Sequence, residues 1–129
     1  MSWPALLLVL LISHAVGDVL LQTDWQAINK VRGFADPVAR KALLAHIATY
    51  TVAFLPALVW IADRTAVWRA LAVAAIVVIP HLAIDDGRFV RLWLREAKGA
   101  TSPGLGLTIA VDQTVHVLCL LGAALIVAV

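Results

Sequence analysis

Four apolar stretches, each near the ~20 residues an α-helix needs to cross a bilayer, dominate this chain and leave it few folds to choose from. Inside hydrocarbon a segment must satisfy its backbone polar groups internally, so each stretch predicts a transmembrane helix. They run over residues 4–22, 37–62, 65–86 and 104–128. Hydrophobic residues make up 63% of the chain, against roughly 45–50% in a soluble domain. That excess excludes an ordinary soluble enzyme. The 129 residues fit one domain, 1–129. The expected architecture is all-α: a polytopic membrane protein built as a four-helix transmembrane bundle.

Local signals punctuate these runs. Pro4 suits a first helical turn. The first stretch has no Lys or Arg before it and ends in His14 and Asp18, so it reads as a retained helix, not a secretory signal. Thr23 with Gln26 is a capping box opening a short interfacial helix over 24–32, stopped by Gly33. Asp36-Pro37 starts the second span, and Pro56 is placed to kink it. Thr65 is expected to cap the third. Residues 88–98 form a second amphipathic segment, with Arg88, Arg91, Arg95 and Lys98 set against Phe89, Val90 and Trp93. Ser102-Pro103 restarts the chain into the fourth span.

Basic residues set the orientation. Eight of the ten lie in the first and third connections (Lys30, Arg32, Arg40, Lys41; Arg88, Arg91, Arg95, Lys98), and two, Arg64 and Arg69, in the second. The positive-inside rule then puts both longer loops in the cytoplasm and both termini outside. Trp3, Trp60 and Trp68 mark the outer interface, Trp25 and Trp93 the inner one. Each half also reads as a helix ending in His-x-x-x-Asp, a basic stretch with one Trp, and a helix carrying His. This suggests a tandem-hairpin pseudo-repeat about an axis along the membrane normal.

The spans carry groups that lipid does not tolerate alone. His14 and Asp18, His81 and Asp85, and Asp112 and His116 are each four residues apart, on one helical face. His46 sits in the remaining span. An Asp at the centre of a transmembrane helix costs roughly 2.5–3.5 kcal/mol, so these groups need partners. At ~1.5 Å per residue all seven can reach a common depth in the inner half of one bundle. Neutral imidazole with carboxylate suits divalent Zn, Fe or Mn, which makes His14, Asp18, His46, His81, Asp85, Asp112 and His116 candidate metal ligands. Asp18 and Asp112 are the candidate catalytic carboxylates. A structural hydrogen-bond network is the plainer alternative. Haem ligation by the histidines is another, though it leaves the three aspartates unexplained. Gln22, Tyr50, Thr108 and Gln113 fall on or beside the same stripes, where they would support the site or simply pack. Asp24 and Asp86 lie at the boundary and are expected to be solvated; Asp36 is a cap. The one cysteine, Cys119, excludes an internal disulfide and reads as packing. The basic loops read first as topology signals and lipid contacts, with phosphate binding as a second role. Nothing points to nucleic acid.

His14-x-x-x-Asp18-x-x-Leu21-Gln22, Ala27, Lys30, His46, His81-x-x-x-Asp85 and Asp112-Gln113-x-x-His116, in that order, resemble the small bacterial membrane proteins grouped as a domain of unknown function, number 3307. The resemblance spans nearly the whole chain and implies a bacterial inner-membrane location and shared polar positions, without naming a reaction. A looser similarity links His-x-x-x-Asp in apolar helices to membrane-bound metal-dependent hydrolases. The leading expectation is a metal-dependent hydrolase acting on a lipid-linked or phosphate-bearing substrate near the cytoplasmic leaflet. The alternatives are a metal-ion or proton transporter or channel component, enlarged as a homo-oligomer, a haem-binding redox protein, and a purely structural or partner-binding membrane protein.

Overall fold

Proline opens two of the four long helices, where its missing amide N–H costs nothing and its fixed φ suits the first turn. The computed structural model describes residues 1–128. Helix α1 spans Trp3–Ala15 and passes into a π-helical turn over Val16–Leu20. A short α2 (Asp24–Asn29) leads to α3 (Pro37–Arg64), in which Asp36 Oδ1 accepts from the amides of Val38 and Ala39. Then follow α4 (Val67–Asp85), the interfacial α5 (Arg88–Glu96) and α6 (Leu105–Ala128). There is no strand among the described residues. Among the described residues, four helices, α1 with its π turn, α3, α4 and α6, are long and apolar enough to cross a membrane. Pro56 and Pro80 lie inside α3 and α4 without ending them.

The four long helices close a ring. α1 packs on α3, α3 on α4, α4 on α6 and α6 on α1, leaving α1 opposite α4 and α3 opposite α6. Those diagonals are the positions two hairpins would take if exchanged about the bundle axis. Leu6, Leu10, Phe54, Ile61, Val73 and Leu120 fill the half nearer the N-terminus. Ala57, Ala70, Ala123 and Ala124 lie among them, as expected where lipid offers no hydrophobic drive and close backbone approach must hold helices together. Outside, Leu8, Ile12, Val52, Val59, Leu71, Ile79, Leu118 and Ile126 are exposed, as on a lipid-facing surface. Arg69 Nη1 donates to the carbonyl of Val127, closing the C-terminal end of α6.

Three local expectations are corrected. α2 ends at Asn29, not near Arg32, and the left-handed residue beyond it is Arg32 (φ 66°), not Gly33. The Arg32 amide is drawn to the carbonyl of Asp86, while Gly33 is small because a Cβ there would fall 2.5 Å from Leu43 Cδ2. Thr65 does not cap α4: its hydroxyl turns back to the carbonyl of Ile61, finishing α3, and Ala66 precedes α4 without a side-chain cap. Asp86 is buried, not solvated. It accepts from the Phe34 amide and pairs with Arg88, which ties the two basic connections together beneath the bundle.

Candidate metal centre

The helix-spaced pairs meet because each lies on the face its helix turns to the bundle axis. His14 is the last buried residue of α1, and Asp18 sits in the π turn that follows. Such turns widen the spiral locally and recur at functional sites. Here Gly17 makes close approach possible: a Cβ on it would lie 2.6 Å from Tyr50 Cδ2 and 3.3 Å from Tyr50 Cα. His46 comes from α3, His81 and Asp85 from α4, Asp112 and His116 from α6.

Four of the ligand atoms form a tight group. His46 Nε2 lies 3.1 Å from Asp18 Oδ1, 2.9 Å from Asp85 Oδ2 and 3.1 Å from His81 Nε2. His81 Nε2 lies 3.2 Å from Asp85 Oδ2 and 3.5 Å from Asp18 Oδ1. Around a tetrahedral ion with ligands at ~2.0–2.1 Å, neighbouring ligand atoms stand about 3.3–3.4 Å apart. Five of the six edges of such a figure are therefore present, each within half an ångström of that spacing. Asp18 Oδ1 is buried and has no hydrogen-bond donor, although His46 Nε2 is close. Apart from the His46–His81 contact, which has hydrogen-bond geometry, these separations are short without it, as when atoms aim at a common centre and not at each other. A second group, Asp85, Asp112 and His116, shares Asp85 with the first, and its ligand atoms also lie within 4.8 Å of one another.

His14 stands outside both groups. Its Nε2 faces Gln113 Oε1 at 3.0 Å, so Nε2 carries the proton, and its Nδ1 accepts from the Tyr50 hydroxyl at 2.9 Å. Gln113 uses its amide Nε2 to reach Asp112 Oδ2 at 3.1 Å and Asp18 Oδ2 at 3.4 Å, linking His14 to both carboxylates. Tyr50 also stacks flat on His81, ring centroids 3.5 Å apart and planes within 9°. Tyr50, Gln22 and Gln113 thus serve the site, whereas the Thr108 hydroxyl returns to the carbonyl of Gly104. Cys119 is free and lies in neither group.

Lys30 is the site residue that sequence reasoning treated as a topology signal. Its ammonium donates to Asp85 Oδ2 at 2.7 Å and to Gln22 Oε1 at 2.8 Å. Two signals pointed this way: Lys30 is among the positions that carry the family resemblance, and the capping box fixes the short helix whose end aims it inward. A cavity of about 670 Å³ opens from the cluster towards the basic end of the bundle, with Asp18, Asp85, Asp112, Lys30 and Arg91 in its wall. Arg91 and Thr108 also line a neighbouring cavity of about 630 Å³ with Arg88 and Arg95.

Residues 6–129 match the model of a family described as protein of unknown function (DUF3307). No curated protein and no solved structure matches the chain, so the looser likeness to membrane-bound metal-dependent hydrolases finds no support there.

Proposed function

The chain belongs to the DUF3307 family, and we propose that it is a membrane-embedded, divalent-metal-dependent hydrolase. Its substrate is an amphiphile bearing a phosphate or comparable anionic group at the cytoplasmic leaflet of a bacterial inner membrane. The observation that carries this reading is the spacing of 2.9–3.5 Å among the ligand atoms of Asp18, His46, His81 and Asp85. Zn, Fe and Mn all accept such a donor set. A bound ion supplies Lewis acidity, polarising a scissile group and lowering the pKa of a water.

The protein's own residues do the rest. Asp112, 26% exposed in its side chain and lining the cavity, could take the proton of the attacking water and return it to the leaving-group oxygen as that bond breaks. Asp18 lines the same wall. Lys30 and Arg91 add positive charge where an anionic headgroup would enter. With the basic loops read as cytoplasmic by the positive-inside rule, that mouth would open at the inner leaflet.

Passage of ions through the bundle is less well supported, because the apolar packing of Leu6, Leu10, Phe54, Ile61 and Leu120 closes the half beyond the cluster. Haem fits poorly too. His46 and His81 turn their Nε2 atoms towards the same carboxylate oxygens, and the His81 ring is covered by Tyr50.

Detergent-purified protein loaded with Mn²⁺ or Zn²⁺ and desalted should retain the ion, and His46→Ala and His81→Ala should lose it. The loaded protein should release product from phosphate-ester amphiphiles in mixed micelles, and chelation should stop it. Wild-type protein that folds but retains no ion would remove the proposal.

A further inference from the structure

We propose that the centre holds two divalent ions bridged by the Asp85 carboxylate, the second bound by Asp85, Asp112 and His116 beside the cavity. This rests on the reading above that the inner group binds metal. His116 Nδ1 lies 3.0 Å from the backbone carbonyl of Asp112, one turn earlier, and can only donate to it. The proton is therefore on Nδ1, and Nε2 presents a lone pair, the tautomer that metal-ligating histidines adopt when a carbonyl holds the other nitrogen.

That Nε2 is buried and has no partner, and it faces Asp85 Oδ1 at 3.5 Å, which also has none. Side chains of His116 and Asp85 are 3% and 1% exposed. Two lone-pair atoms thus look at each other across a space closed to bulk water, where leaving polar groups unpaired is costly. A cation between them resolves both. Asp112, whose Oδ2 lies 3.4 Å from His116 Nδ1, completes the set, and as a ligand it would take a proton only through the oxygen that the ion leaves free.

Asp85 can serve both ions because its two oxygens are divided. Oδ2 faces His46, His81 and Lys30, while Oδ1 faces His116. Charge accounts for the kind of substrate. Asp18, Asp85 and Asp112 against Lys30 leave two negative charges. One divalent ion cancels them, and a second makes the centre positive. An anionic ligand entering past Arg91 restores balance, as the phosphate of an amphiphile would.

The test is ion stoichiometry in purified full-length protein with Mn²⁺ as the probe. Wild type should bind two ions per chain, with the exchange-coupled electron paramagnetic resonance spectrum of a bridged pair. His116→Ala should bind one and show the hyperfine pattern of an isolated ion. Asp112→Asn, at a less buried position, should weaken the second ion at least tenfold and guards against a folding failure of the first variant. One ion in wild type at saturating Mn²⁺, or two in both variants, would overturn the two-ion centre and leave the inner site standing. No ion in wild type overturns both.

Discussion

Replacing Lys30 by Met keeps most of the apolar stem and removes the ammonium together with its bonds to Asp85 and Gln22, which tests what that ammonium does for Asp85. The pair is short, 2.7 Å, with Asp85 1% exposed and Lys30 15%. Removing one partner of a buried ion pair costs roughly 3–5 kcal/mol, because the survivor is left charged in a poor solvent. Asp85 keeps its contacts to His46 at 2.9 Å and His81 at 3.2 Å, which argues for the lower end, about 3 kcal/mol. At about 1.4 kcal/mol per decade, the unfolding equilibrium shifts by roughly 100-fold. A divalent ion at the inner group neutralises the same carboxylate, so its presence should shrink the loss to about 1 kcal/mol or less. The assay is reversible unfolding in mixed micelles titrated with a denaturing detergent, run in chelator and again at saturating Mn²⁺. A double-mutant cycle with Asp85→Asn isolates the pair. Equal losses in both conditions would show that the ion does not bind at Asp85, and no loss in chelator would refute the argument about the buried pair.

Other perturbations test the surrounding shell. Gly17→Ala places a Cβ 2.6 Å from Tyr50 Cδ2; it should destabilise by about 1–3 kcal/mol, as overpacking does, and weaken Mn²⁺ retention on the same desalting assay. Tyr50→Phe keeps the stack on His81 but deletes the 2.9 Å bond to His14; a loss of about 1 kcal/mol in detergent unfolding, with ion binding retained, is expected. Asp36→Ala removes the acceptor for two amides at the start of α3 and should cost about 1 kcal/mol without touching metal content. Arg91→Gln should raise KM for a phosphate-bearing amphiphile by roughly tenfold or more, the worth of one charge-assisted hydrogen bond, with ion stoichiometry unchanged.

The long elements were legible because they answer to a single demand: a backbone crossing hydrocarbon must be helical, and its apolar length can be counted. The meeting of His46, His81, Asp18, Asp85, Asp112 and His116 followed from the same physics, since isolated charges in those spans are untenable. What escaped is set by tertiary partners. Lys30 looks like any loop cation until Asp85 is seen 2.7 Å away. Asp86 looks solvated until the Phe34 amide and Arg88 are brought over it. The left-handed conformation belongs to Arg32 because its amide is claimed across the bundle, a pull that no local preference for Gly33 reveals. His14 shares the i, i+4 pattern of the other histidines, yet Tyr50 and Gln113 occupy both of its nitrogens. Spacing along one helix does not report what a neighbouring helix will offer.

The distribution of the inner group along the chain bears on how the protein is made. Asp18, His46, His81 and Asp85 all precede α5, so the first three spans contain every member of that group before the last one is synthesised. A ribosome-bound intermediate would already carry two carboxylates needing neutralisation in lipid, with its open side still waiting for α6. Lys30 lies early enough to act as the resident counter-charge during that interval, and the arrival of Asp112, Gln113 and His116 then seals the pocket from that side.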